Sequence, residues 1–386
     1  MNANTVISCC DEMNTAVGNT CENKSHTWGI GAGARLADLR SFAGAVALVV
    51  FGLLSTASAD DFTWQTVGSI GNAANPTTGL GRVTENFKIS AYETTIAQYA
   101  DFLNGSYAGK QGLYGVFNTN IGAKTTNDPP NGVGITQSGS AGNFTYSVVT
   151  GFADKPVNNI NWFSAARFVN WYANEKSGAA TATETGSYTL VGGQTSGSIA
   201  ARNAGAKIFL PSADEWTKAA FYSPATQSYT KWPTQSDTIP TATLPTANEQ
   251  ITAANTANYN PQITGVITKM TNVGTYVNTT STYGLFDMAG NVSEMTDTPQ
   301  SGDAAKFQAF SGSWASTATT MNDLFSSDKP GEFRLADNAT ATIGFRVAAV
   351  AVPEPGNMVA AAMGIAGLVG VQLAKRRKLA LARAAG

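Results

Sequence analysis

All three cysteines and the single histidine of this 386-residue chain (Cys9, Cys10, Cys21 and His26) fall within its first 26 residues. Everything beyond has neither a thiol nor an imidazole. That body can have no disulfide staple, no thiolate or imidazole zinc or copper site, no non-haem iron triad, and no cysteine or histidine-based nucleophile system. It has to fold on its core alone, which about 300 residues can do as one large domain or two small ones.

The two ends decide which residues belong to that body. Residues 41–54 form a short apolar run, preceded by Arg35 and Arg40 and followed by Ser-Thr-Ala-Ser-Ala before Asp60. A basic flank, a short hydrophobic stretch and an A-x-A-like site predict a leader and secretory signal over 1–59, cut after Ala59. At the other end stand Val352, Pro353, Glu354 and Pro355, an apolar run over 358–374, and then Lys375, Arg376, Arg377 and Lys378. An apolar run of this length, about 17 residues, is just enough for a transmembrane helix with its basic cluster left on the cytoplasmic side.

Charge shifts once the ends are set aside. The leader holds three of the 24 basic and four of the 26 acidic residues and the tail five more basic ones, which leaves 60–374 with 16 basic against 22 acidic, a net charge near −6. Such a body offers no basic stripe, so no nucleic-acid partner is expected.

The body, 60–350, reads as one domain of short ordered islands between long loops. "NFKISAYETTIAQYADFLNG" predicts a strand and then a helix from Thr94 or Thr95 that carries Ile96, Tyr99, Ala100 and Leu103 on one face and stops at Asn104-Gly105. "KPVNNINWFSAARFVNWYANE" predicts a helix from about Phe163 to Asn174. In "IFLPSADEWTKAAFY" a strand precedes Ser212 and Glu215, a capping box opening a helix with Trp216, Ala219 and Ala220 inward. "GNFTYSVVTGF" alternates Phe144, Tyr146 and Val148 like a hairpin strand. The stretches 105–150, 175–206 and 222–256 are rich in Gly, Ser, Thr and Pro and predict surface loops. Trp162, Trp171 and Trp216 are expected in the core, and Trp232 and Tyr229 at a contact surface.

Two resemblances follow from these residues. The VPEP sequence, one hydrophobic helix and a terminal basic cluster resemble the PEP-CTERM sorting signal of Gram-negative bacteria. That resemblance implies recognition of the tail (351–386) by an exosortase, and delivery to the cell surface or extracellular matrix. A tail left uncut would instead remain a membrane anchor. Within the body, "ISAYETTIAQYADFLN", "KPVNNINWFSAARFVNWY", "IFLPSADEWTKAAFY", "ANYN", "YGLFDMAGNVSEMTD", "FSGSW" and "IGFRVA" occur in the order of the landmarks of the formylglycine-generating enzyme (sulfatase-modifying factor) family. The resemblance implies an α+β domain related to the C-type-lectin fold, with few short helices and strands, long loops and bound Ca²⁺.

It also implies where calcium sits. The family pattern maps onto Asp287 and Glu294 by side chain and Gly290 and Val292 by carbonyl, in keeping with the oxygen ligands Ca²⁺ prefers; a Gly-Asn turn with Glu294 in a salt bridge is the alternative. A second family site would use the Asn258 side chain and the Tyr259 carbonyl, but residues 261–272 contain no carboxylate to complete it. The family's copper-binding cysteines map to Ser316 and about Met321, so no copper is expected, because a hydroxyl is a poor ligand for that soft ion. Ser313 matches a family active-site serine whose alternative role is turn capping. Together these readings predict an exported, noncatalytic binding module for a carbohydrate or protein ligand. The alternatives are a protein-modifying oxidoreductase of the formylglycine-generating type acting on sulfatases, a purely architectural matrix component and, as a minor option, a hydrolase of unknown type.

Overall fold

The computed structural model describes residues 61–107, 113–122, 134–140, 142–245, 250–260, 270–324, 326–351, 372, 375 and 376. The expected signal over 1–59 and, apart from residue 372, the apolar run 358–374 lie outside the described residues. Among the described residues no helix is long and apolar enough to cross a membrane.

Two small sheets organise the unit Asp60–Gly386. The first runs β1-β2-β14-β5, where β1 is Trp64–Val67, β2 Phe87–Ser90, β5 Ile208–Phe209 and β14 Ala348–Val350, every pair antiparallel. The second runs β12-β11-β10-β13, from β10 (Ser293–Gln300), β11 (Asp303–Phe310), β12 (Glu332–Leu335) and β13 (Ile343–Gly344), with β10 and β13 parallel. Three two-stranded pairs complete the strands: β3 (Ile135–Ser140) with β4 (Asn143–Val148), β6 (Tyr222–Ser223) with β7 (Ser228–Tyr229), and β8 (Thr241–Ala242) with β9 (Thr256–Ala257). The chain is thus mixed α and β with many short strands and few helices, as expected.

Each long helix starts at a side-chain cap. α1 (Ile96–Tyr107) opens on Thr95, whose amide donates to Gln98 Oε1 while its hydroxyl accepts the Gln98 amide. α2 (Trp162–Ala173) opens on Asn161, whose side chain accepts the Ser164 amide, and closes at Asn174. α3 (Ala213–Phe221) has the Ser212/Glu215 capping box. A short fourth helix, α4, spans Ala318–Leu324.

One helix end differs from expectation. α1 does not stop at Asn104-Gly105 but continues to Tyr107. The side chain of Asn104 is drawn to β4, accepting the Tyr146 amide and donating to its carbonyl. A Cβ on Gly105 would stand 2.5 Å from Trp171 Cζ2 of α2, so this glycine permits two helices to approach rather than ending one.

The main core is aromatic. Phe168 of α2 packs against the rings of Tyr99, Phe102, Tyr172 and Phe345, at centroid distances of 4.8 to 6.0 Å, and Trp162, Trp171 and Trp216 are all buried as expected. Trp232 corrects its expected role. It is 1% exposed and forms a satellite core with Ala257, Tyr259, Ala289 and Met321. In place of covalent staples the body has guanidinium–carboxylate pairs, Arg346 with Glu294 fully buried and Arg167 with Glu184 and Arg202 with Glu215 and Asp297 partly so.

Candidate functional site

Residues 287–294 form a tight loop that runs into β10. The backbone is left-handed at Asp287 (φ 57°), Gly290 (φ 92°) and Asn291 (φ 61°), a winding that favours glycine and tolerates Asn and Asp. A Cβ on Gly290 would lie 2.2 Å from the carbonyl oxygen of Asn258. That carbonyl accepts the Asn291 amide at 2.9 Å, and the Ser311 hydroxyl donates to the carbonyls of both Asp287 and Gly290 at 3.1 Å. The expected first and second calcium segments, at 287–294 and at Asn258, are therefore one packed unit.

Behind the loop lies a cluster of three buried carboxylates around one guanidinium. Arg346, fully buried, donates to both oxygens of Glu294 at 2.6 Å and to the carbonyls of Ser90, Ala91 and Phe286. Trp216 Nε1 adds a third donor to Glu294 at 2.6 Å. Glu93, from the turn before α1, accepts the Asn291 side-chain amide at 2.7 Å and the Val292 backbone amide at 3.1 Å. Burial, and then repulsion from Asp287 and Glu294, hold its carboxyl well above the usual carboxylate range. Asp287 accepts the Gly274 amide through Oδ2 at 2.6 Å, and burial pushes its carboxyl up to about 6. Its Oδ1 is buried without a hydrogen-bond partner.

The fit of a cation to these groups divides along the loop. The unpartnered Oδ1 of Asp287 is a hard oxygen available to a cation, and the carbonyl edge at Gly290 lies on the same loop. Glu294 does not fit as a side-chain ligand in this arrangement, because both its oxygens are held by nitrogen donors. A cation would have to displace Arg346 and Trp216 to reach it. Among the described residues no group of three or more Asp, Glu, His or Cys side chains is arranged to hold a metal.

Asn258 and Tyr259 make side-chain hydrogen bonds beside the loop. Asn258 Nδ2 donates to Asn291 Oδ1 at 3.1 Å, and the Tyr259 hydroxyl donates to the Pro240 carbonyl. The carboxylate cluster contains two residues that inspection of the sequence did not single out, Glu93 and Arg346. Both sit in the ordered blocks, in "AYETT" and "GFRVA", but neither block shows what the charge is for.

The two positions expected to carry cysteines are filled otherwise. Ser316 is buried, and its hydroxyl accepts the Ser313 amide at 3.0 Å. Ser313 Oγ accepts the Ala315 amide, and its carbonyl accepts the Ser316 amide, so the two serines close a turn on each other. Met321 is fully buried among Trp232, Ala257, Tyr259 and Ala289. The segment after β11 is thus a hydrogen-bonded turn leading into an apolar plug.

Comparison with solved structures returns a crystal structure of CarF, at 17% identity over 75% of this chain and 99% of that one, with a TM-score of 0.44. Variable protein 1 of Treponema denticola follows at 17% identity over 77% and 98%, TM-score 0.42. PvdO from Pseudomonas aeruginosa is 15% identical over 75% and 92%, TM-score 0.38. No curated protein matches the sequence. Residues 59–351 do match a family, the sulfatase-modifying factor enzyme 1-like domain, and the length of that match makes this chain a member of the family.

Proposed function

We propose that this chain is an exported, noncatalytic member of the sulfatase-modifying factor family that binds a ligand at the cell surface or in the extracellular matrix. The observation that carries the noncatalytic reading is the pair of residues at the expected cysteine positions. Ser316 has its hydroxyl committed to a turn and Met321 its thioether sealed in a satellite core. A thioether is a softer donor than a hydroxyl, but one buried sulfur and one engaged hydroxyl do not make a two-thiolate Cu(I) site. With no cysteine or histidine after His26, no other residue of the body supplies that chemistry.

Export rests on the two ends of the sequence, with an exosortase as the partner that would process the tail. Calcium rests on Asp287, whose orphaned oxygen and neighbouring carbonyls would hold the ion and brace the 287–294 loop. The long polar loops between the caps and strands supply the binding surface. Incubating the full chain with copper, oxygen and a cysteine-containing sulfatase peptide, followed by mass analysis, separates this reading from the oxidoreductase alternative. No aldehyde is expected, and formylglycine in the peptide defeats the proposal. A screen of saccharides and peptides for saturable binding separates it from a purely architectural role.

A further inference from the structure

We propose that the open cleft beside β7 is the ligand site, and that its ligand is a neutral, hydroxyl-rich saccharide. The inference rests on the binding-module reading above and gives it a location and a ligand class. The cleft encloses about 570 Å³ between the segment 73–77, the turn and strand 227–231, Asp237, and the pair Ser327 and Asp328. This lies within the roughly 300–1,000 Å³ of small-ligand sites.

Two features make it a preformed site. First, Tyr229 is locked. Its hydroxyl accepts from Asn72 Nδ2 at 2.8 Å and faces the carbonyls of Ala73 and Gly81 at 2.9 and 3.0 Å, while its ring packs on Tyr222 at 5.2 Å. A Cβ on Gly81 would stand 2.5 Å from that hydroxyl, so the bare glycine is what admits the ring. A tyrosine with its polar tip already satisfied presents an immobile aromatic surface, on which the C–H face of a sugar packs with little entropy lost. Second, the opposite walls are tied together, since Asn75 Nδ2 donates to the Ser327 carbonyl at 2.8 Å and Asn75 Oδ1 accepts the Thr77 amide at 2.9 Å.

Charge selects the ligand class. Lys231, Asp237 and Asp328 line the cleft, one cation against two carboxylates. Asp237 Oδ1 accepts the Lys231 backbone amide at 2.8 Å, and Asp328 accepts the Ser326 hydroxyl. Each carboxylate is thus held in place by one hydrogen bond from the protein. Carboxylates accept from paired hydroxyls, the ammonium donates to a ring, hydroxyl or acetamido oxygen, and the net negative charge works against uronate or sulfate groups.

The full chain is screened against immobilised neutral hexose and N-acetylhexosamine oligosaccharides and their uronate- and sulfate-bearing counterparts, and the best neutral probe is then titrated by calorimetry. Neutral oligosaccharides are expected to bind, with a Kd that changes less than about twofold between low and high salt. Asp237→Ala and Asp328→Ala are each expected to weaken Kd about tenfold, the loss of a hydrogen bond to a charged group, with an unchanged melting curve. Tyr229→Phe, which keeps the ring but loses the hydroxyl that anchors it, is expected to weaken Kd about threefold, less than either aspartate change. A neutral sugar whose Kd ignores both aspartate changes overturns this site and leaves the binding-module reading standing. Binding confined to acidic glycans or to peptides overturns the ligand class alone. Absence of any saturable ligand overturns both readings.

Discussion

Replacing Arg346 with methionine tests whether the buried carboxylate cluster holds the two sheets to the loop. The guanidinium donates twice to Glu294 and to three backbone carbonyls, with Glu93 and Asp287 close enough to feel its charge. Methionine fills much of the same volume but leaves Glu294 with Trp216 as its remaining donor. Breaking a buried pair by removing one partner costs about 3–5 kcal/mol, because an uncompensated charge stays in the interior. Against the roughly 5–15 kcal/mol that hold a typical domain, this approaches loss of the native state. Urea unfolding of the full chain, followed by tryptophan fluorescence, reads the loss directly, since Trp216 sits on Glu294. Adding Glu294→Gln to Arg346→Met removes the stranded charge, so the double variant is expected to recover on the order of 2 kcal/mol relative to the sum of the single losses. A cost below about 1 kcal/mol for Arg346→Met, or simple additivity in the double variant, refutes the argument that this pair is charged, buried and mutually dependent.

Three further outcomes are expected. Asp287→Ala, which also loses the Gly274 amide contact, lowers the melting temperature more in calcium buffer than after chelation, and equal losses in both buffers mean that the residue never held metal. Gly290→Ala, forced into a left-handed backbone with its Cβ against the Asn258 carbonyl, costs more than about 2 kcal/mol in denaturant titrations; a neutral result shows that the loop relaxes. Lys218, buried on α3 with its ammonium on the Ser69 carbonyl and near the Tyr222 ring, has its pKa lowered by burial to about 8 from 10.5. The unfolded chain therefore binds the extra proton between these values, so the Lys218 contribution to stability rises as pH climbs from about 8 to 10.5, by an amount that screening keeps on the order of 1–2 kcal/mol, while the buried tyrosines, whose pKa values burial raises, slope the other way near pH 10. Lys218→Met removes that slope, and an unchanged profile shows that the amine is solvated.

What was legible in the sequence is what local chemistry decides. The Ser212–Glu215 box satisfies the first amides of its helix within three residues, so its spacing reads directly from the chain, whereas the caps at Asn161 and Thr95 came only with the structure. The glycine and asparagine at 290 and 291 marked a tight loop for the same reason, and the serine and methionine at 316 and 321 excluded a pair of thiolates by composition alone. Absence of cysteine from the body left it to fold on its core alone, and the three tryptophans of the helical islands are in that core as expected.

The tertiary structure decided which partner each polar or aromatic group meets. Glu294 reads as an open ligand until Arg346, 52 residues later, closes on both its oxygens. Glu93 joins the same cluster from 198 residues before Asn291. Gly105 looks like a helix stop until Trp171 crosses it, and Trp232 looks like a surface anchor until Met321 covers it. Such pairings have no period and no fixed spacing. They are set by which surfaces meet when apolar area is buried, and buried charges then take whatever partner that packing leaves within reach.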